Sequence, residues 1–129
     1  MSTVHQDAKA MNAIGLHTAA NIMEKWGANQ EQIASTLRIS ASTIARARAN
    51  KQAAFKLDAD QLDRISYVLN IHAALRTLFE NQENVYGFVA MPNQNTFFNG
   101  RTPLEIMAQG SFANLYETYR HIDGLRGAL

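Results

Sequence analysis

The spacing of apolar residues predicts that most of this chain is helical. Between Met11 and Trp26, apolar side chains recur every three or four positions, which is the period of an amphipathic helix, and Gly27 is placed to end it. Residues 1–10 mix charged and polar side chains without an apolar stripe. We expect them to form a frayed lead-in to the first helix.

Polar residues are placed to cap the helices that follow. Their short side chains can accept hydrogen bonds from the first backbone N–H groups of a helix. The predicted caps are Asn29 for residues 30–37, Ser40 for residues 41–51, and Asp58 or Asp60 for a long helix that ends before residue 81. The buried side of that long helix is predicted to comprise Leu62, Ile65, Leu69, Leu75, Leu78 and Phe79.

A tight turn and a rigid helix start are predicted late in the chain. Asn99 and Gly100 both tolerate positive φ and indicate a turn. Thr102 then begins a Thr-x-x-Glu capping box, with Pro103 at the first helical position, where its missing N–H costs nothing. The helix is short, because Gly110 is placed to stop it. We expect this stretch to be a fixed surface feature.

Two more helices complete the predicted fold. One covers residues 85–91 and stops at Pro92, and the last covers residues 111–123. No segment shows the alternation of apolar and polar positions that a half-buried strand requires. The sequence therefore predicts an all-α fold of roughly seven helices, organised as regions 1–57 and 58–129.

Composition restricts the class of protein. A chain of 129 residues with 47% hydrophobic residues suits one compact domain or two small ones that share a core. It has no cysteine, which removes disulfides, thiolate zinc sites and thiol catalysis and favours a cytoplasmic location. No apolar run approaches the ~18 residues of a membrane span, so we expect no membrane partner.

The charge is unevenly distributed, although the net value is only +1. Residues 29–56 carry a net charge of +4, whereas residues 57–129 carry −3. A local basic cluster on a nearly neutral chain is expected of a small nucleic-acid contact. A solvated helix surface without a partner would have the same composition, and charge alone does not separate the two interpretations.

The segment from Gln30 to Ile44 has the features of a helix-turn-helix. The small Ala34 allows two helices to approach closely, and Ser40 caps the second helix, whose free N–H groups can also meet a phosphate. It resembles the helix-turn-helix of bacterial Xre-type regulators. Arg38 stands where the turn often has glycine, and a non-glycine residue at positive φ costs roughly 1 kcal/mol.

The helical wheel selects the residues that can reach DNA. If Ile44 points into the core, Arg46 points nearly the opposite way and is the predicted base contact, whereas Arg48 falls close to Ile44. Arg48 is therefore either a phosphate contact or an intramolecular partner of an acid. The predicted DNA-binding residues are Ser40, Ser42, Thr43, Arg46, Arg48, Asn50 and Lys51. A helical hairpin without DNA affinity is the alternative.

The carboxy-terminal half resembles a known family. Residues 88–93 (FVAMPN), residues 98–107 (FNGRTPLEIM), Gly110 and a final amphipathic helix are similar to the toxin-binding domain of Xre/MbcA/ParS antitoxins. Position 88, often tryptophan in that family, is Phe88 here. The resemblance covers about residues 60–129, and the preceding helix-turn-helix matches the family's order of modules.

The resemblance implies an antitoxin. Members pair with RES-domain toxins that consume NAD; the antitoxin is thought to cover the active-site cleft of the toxin. The family commonly dimerises and represses its own operon through operator DNA. Cognate RES toxin, operator DNA and a second copy of the chain are thus the expected partners. A helix-turn-helix regulator without a toxin partner is the alternative.

The predicted toxin contacts lie in the Asn-Gly turn, on the last helix and in the tail. The tail has two glycines and one arginine, and a short flexible tail of this kind can enter a cleft. The predicted contacts are Phe98, Asn99, Gly100, Arg101, Tyr116, Leu125, Arg126 and Leu129. Burial of at least one of the two phenylalanines at 97 and 98, and simple fraying of the tail, are the alternatives.

No constellation of residues suggests an enzyme. The four histidines are far apart and lack a third ligand at metal-binding spacing, and His72 is expected to be partly buried on the long helix. There is no Gly-rich phosphate loop and no nucleophile elbow. We therefore expect no catalytic residue, no metal and no cofactor.

Overall fold

The computed structural model describes residues 3–50 and 55–128 of the chain. Those residues form only helices and connections, which confirms the predicted all-α class. The helices are α1 Thr3–Lys25, α2 Gln30–Leu37, α3 Ala41–Ala49, α4 Ala59–Leu78, α5 Gln82–Gly87, a 3-10 helix Phe88–Ala90, α6 Pro103–Met107 and α7 Phe112–Ala128.

The predicted helix starts are confirmed where the signal is a cap. Asn29 and Asp58 each form a complete capping box, with Gln32 and Gln61 as the reciprocal partners. The Ser40 hydroxyl accepts the backbone N–H of Thr43 at 3.2 Å. These caps fix where α2, α3 and α4 begin.

The capping box predicted for α6 is only half formed. Glu105 N donates to Thr102 Oγ1 at 3.0 Å, with Pro103 in the first turn. Between these described residues the reciprocal hydrogen bond, from the Thr102 N–H to the Glu105 carboxylate, is not made. The Thr102 cap and the proline therefore fix this helix start without the second half of the box.

Some predicted boundaries are wrong. Helix α5 begins at Gln82 rather than at residue 85. In two other cases the helix is longer than its apolar stripe. Helix α1 begins at Thr3, so residues 3–10 are helical rather than a frayed lead-in. Helix α7 continues past residue 123 to Ala128. The predicted flexible tail is therefore helical as far as the structure describes it.

Helix α4 is the centre of the molecule. It packs against α1 and α7, and it also contacts α2 and α5. Buried residues from both predicted regions form one continuous core, whose largest fully buried members include Trp26, Leu16, Leu75 and Leu115. Leu62, predicted to be buried, is instead 37% exposed at the start of α4. Because the core is shared, the two halves of the chain support one another.

Candidate functional site

Helix α3 presents the exposed face that the helical wheel predicts. Ile44 and Ala47 are buried, whereas Ser42 and Arg46 are exposed and Thr43 lies between these extremes. Among the positions 41–50 the exposed face therefore carries hydroxyl groups and one guanidinium, which are groups that bind phosphates and base edges.

The Ser40 hydroxyl forms local hydrogen bonds at the start of α3. Besides accepting the Thr43 N–H, its hydroxyl donates to Thr43 Oγ1 at 2.8 Å. Ser40 remains exposed, so the beginning of α3 is open to solvent. Asn50 is exposed at the other end of α3, where its N–H donates to Arg46 O at 3.0 Å. Lys51 lies outside the described residues.

The two arginines of α3 have different surroundings. The guanidinium carbon of Arg46 lies 4.9 Å from the centre of the Phe55 ring, a cation–π contact that holds an exposed cation in place. Arg48 is half-buried and forms an ion pair with Glu24 of α1. The hydrogen bond and charge of Arg48 lower the pKa of the Glu24 carboxyl. Of the two predicted roles for Arg48, the structure places it as an intramolecular partner.

The turn before α3 adopts the conformation expected from its sequence position. Arg38 has φ 57°, in the left-handed region where glycine is favoured. Its side chain forms ion pairs with Asp58 and Asp60, the latter at 2.7 Å, and Gln61 Nε2 donates to its carbonyl at 2.9 Å. These contacts tie the turn to the start of α4 and offset the backbone cost at Arg38.

The Arg38 cluster carries a pH dependence. Hydrogen bonds from Arg38 lower the pKa of both Asp58 and Asp60 from an ordinary value of 3.8. Groups with a lowered pKa in the folded state stabilise it above their ordinary pKa and lose that effect as the pH falls through the lowered value. The ion pairs that connect Arg38 to Asp58 and Asp60 are therefore weakened only in acid.

The Asn99-Gly100 turn is confirmed and is held by its own backbone. Asn99 has φ 52° and Gly100 has φ 85°. Gly100 N donates to Asn93 O at 2.8 Å, and Asn93 N donates to Arg101 O at 3.1 Å. Arg101 Nε donates to Phe98 O at 3.0 Å, so this exposed side chain closes the same turn. The turn is a preformed surface feature.

Phe98 does not fit the role of a surface contact. Its side chain is 1% exposed and lies edge-on to Phe97, with 5.0 Å between the ring centres. It also packs against His121 of α7, at 5.8 Å between ring centres. The prediction that Phe98 touches a toxin is wrong for this conformation: the ring is core that supports the turn from beneath.

The predicted contacts on α7 that the structure describes are accessible. Tyr116 is 39% exposed and packs edge-on against Tyr67 of α4. Arg126 is exposed and forms an ion pair with Asp123 one turn earlier, while Leu125 is half-buried. Leu129 lies outside the described residues.

His72 is partly buried, as predicted from its position on α4. It stacks on Tyr86 at 5.3 Å between ring centres, beside a groove of about 580 Å³ at the end of α4. Burial, followed by the charges of Arg76 and Lys25, lowers the pKa of His72. His72 therefore belongs to the packing of α5 on α4.

Sequence reasoning missed Arg64, which is buried and bonded to three different segments of the chain. It also missed Phe55 as the support of Arg46 and Glu24 as the partner of Arg48. The periodicity of α4 gave no signal for Arg64, because a charged residue within a helix is ordinarily exposed.

Comparison with known protein families identifies the family of this chain. Residues 5–70 match the antitoxin Xre-like helix-turn-helix domain, and residues 74–127 match the antitoxin Xre/MbcA/ParS C-terminal toxin-binding domain. The chain belongs to the Xre/MbcA/ParS antitoxin family. Both matched domains are those of a regulatory protein rather than an enzyme. The two matches meet within α4, so the domains of this antitoxin share its central helix.

The chain is also similar to a protein from another organism. The antitoxin is 36% identical over 77 residues to the uncharacterized protein y4oB of Sinorhizobium fredii. The alignment covers 60% of this chain and 58% of that relative, so the chain spans little more than half of its length.

Among the described residues, no helix is both long enough and apolar enough to cross a bilayer. No group of three or more histidine, aspartate or glutamate side chains in that part of the chain is arranged to hold a metal ion.

Proposed function

We propose that this antitoxin neutralises a RES-domain toxin by covering its active site, where NAD is consumed. The observation that carries the proposal is the exposed, preformed turn at Asn99–Arg101 within the segment that matches the toxin-binding domain. A surface that is rigid before binding loses less conformational entropy on association. Tyr116 and Arg126, exposed on α7, extend the proposed contact surface.

We propose further that the antitoxin binds operator DNA as a homodimer and represses its own operon in the cytoplasm. The exposed face of α3, with Arg46 held over Phe55, supports a base contact in the major groove. Residues 1–57 and 58–129 are the proposed DNA-binding and toxin-binding regions, and dimerisation is assigned to the second region.

We expect a neighbouring gene to encode a RES-domain protein, and co-expression with that protein tests the toxin partner. We expect rescue of growth and of cellular NAD, and a purified complex with no residual NAD consumption. Operator binding by a chain that neither joins the complex nor rescues growth would favour the alternative, a helix-turn-helix regulator without a toxin partner.

Removal of residues 126–129 tests the contribution of the end of α7. Because Arg126 is exposed and its ion pair with Asp123 lies within one turn of α7, we expect weaker inhibition of the toxin with little loss of stability. Inhibition constants and thermal unfolding of the shortened chain measure both effects. The matched control is Arg120→Ala, which removes an exposed arginine paired with Glu117 on the same helix. Full inhibition by the shortened chain would place the covering surface elsewhere.

A further inference from the structure

Arg64 of α4 is the one charged residue that is buried among the side chains the structure describes, with 6% of its surface exposed. Its Nε donates to Asp60 Oδ2 at 2.9 Å on the same helix. Its Nη1 donates to two backbone carbonyls, Thr36 O at 3.2 Å and Gly110 O at 2.8 Å. A single guanidinium therefore joins three segments of the chain.

The two carbonyl acceptors belong to different domains. Thr36 lies in the last turn of α2, within the helix-turn-helix match, and Gly110 lies in the turn between α6 and α7, within the toxin-binding match. Asp60, the third acceptor, also accepts from Arg38 in the turn before α3. The network thus runs from the DNA-binding turn through α4 to the toxin-binding segment.

A second contact brings the same two segments together without Arg64. Ser35 Oγ donates to Ala108 O at 2.8 Å. A Cβ atom built on Gly110, which has φ 92°, would lie 2.8 Å from Ser35 Oγ, closer than side chains tolerate. The end of α2 and the α6–α7 turn therefore lie in close contact through backbone as well as side chain. We call the residues 35, 36, 64, 108 and 110 the junction.

Burial of a guanidinium is costly unless its donors are satisfied, because water is removed from a charged group. A hydrophobic residue at position 64 would avoid that cost but could not bond to carbonyls on two sides. The benefit of arginine at this position is geometric: a planar group with several donors fixes the relative orientation of the segments that accept from it.

We propose that Arg64 is a positioning residue that fixes the helix-turn-helix on the toxin-binding domain, so that DNA binding and toxin binding are linked through the junction. The linkage rests on the proposed function. A toxin bound to a rigid chain sits at one place relative to α3, where it either helps or hinders the DNA contact. A loosened junction lets the two sites act independently.

Amide hydrogen exchange of the free antitoxin tests the positioning role without DNA or toxin. Arg64→Met keeps much of the apolar volume and removes every donor. We expect exchange to accelerate by about tenfold or more at both residues 36–40 and residues 108–112, with little change in α5. Arg120→Met, which removes an exposed arginine on α7, is the matched control and should change neither segment.

Arg64→Lys keeps the experiment decisive if Arg64→Met does not fold. A lysine retains the charge but cannot reach three acceptors in the plane of a guanidinium, so we expect acceleration smaller than for methionine at both segments. If either segment of a folded Arg64 variant exchanged its amide hydrogens at the wild-type rate, the positioning role would be overturned.

The linkage is tested by titrating DNA from upstream of the antitoxin gene with and without the RES-domain toxin that we expect a neighbouring gene to encode. We expect the toxin to change the DNA dissociation constant of the wild type by a factor of about 5 to 150. In Arg64→Met that factor should fall toward one, while Arg120→Met keeps it. An unchanged factor in Arg64→Met, or a factor of one in the wild type, would overturn the linkage. If the wild type bound neither DNA nor the toxin, the proposed function would be refuted instead. The hydrogen-exchange experiment would still test the positioning role of Arg64.

Discussion

Replacing Phe98 by alanine is expected to lower the free energy of unfolding by about 3–5 kcal/mol, the cost of emptying a buried aromatic site. The ring is 1% exposed and contacts Phe97 and His121 directly beneath the Asn99-Gly100 turn. Loss of the ring removes the support of the turn, so we expect toxin neutralisation to fail together with stability. Denaturant unfolding and inhibition of the proposed RES toxin measure the two effects.

Phe97→Ala is the matched control for that experiment. Phe97 is the adjacent aromatic residue and stacks on the same His121 ring, but it is only partly buried. We therefore expect a clearly smaller loss of stability than for Phe98→Ala. Equal losses for the two variants, or normal stability of Phe98→Ala, would contradict the assignment of Phe98 to the core.

Replacing Arg46 by alanine is expected to weaken operator binding by about 1–3 kcal/mol and to relax sequence specificity. Arg46 is exposed on the face of α3 opposite the buried Ile44, and its contact with Phe55 holds the guanidinium in place before DNA arrives. Binding to the upstream DNA and to a scrambled duplex, measured at one salt concentration, gives both quantities.

Arg48→Ala removes the same charge from the same helix and serves as the control for Arg46→Ala. Because Arg48 is paired with Glu24 of α1, we expect a smaller loss of operator affinity and no relaxation of specificity. Equal effects of the two substitutions would indicate a general contribution of charge. Unchanged binding by Arg46→Ala would remove this face of α3 from the DNA interface.

The parts of the fold that were predicted correctly depend on local chemistry. The caps at Asn29, Ser40 and Asp58 each satisfy backbone donors within three residues, so four consecutive letters of sequence contain the whole signal. The Asn99-Gly100 turn is similar, because both residues are suited to positive φ. The spacing of apolar residues in α3 likewise predicts, from about ten residues of sequence, that Arg46 lies on the exposed face.

The features that were missed depend on residues far apart in the chain. Arg64 is buried only because carbonyls 28 and 46 positions away converge on it, and no periodicity within α4 reports that. The Phe98 ring is buried because α7 brings His121 over it. The end of α7 was predicted to be flexible from its glycines, although a helix with an established hydrogen-bond ladder tolerates glycine at a modest cost.

The narrow space between Ser35 and Gly110 limits how this antitoxin can be recombined with others. A chimaera with foreign DNA-reading helices and serine at position 35 would have to keep Gly110, because a Cβ at that position would lie 2.8 Å from Ser35 Oγ. It would also need the last turn of its second helix to offer a carbonyl to Arg64. Exchange of operator specificity would therefore have to replace α3 while the end of α2 is kept.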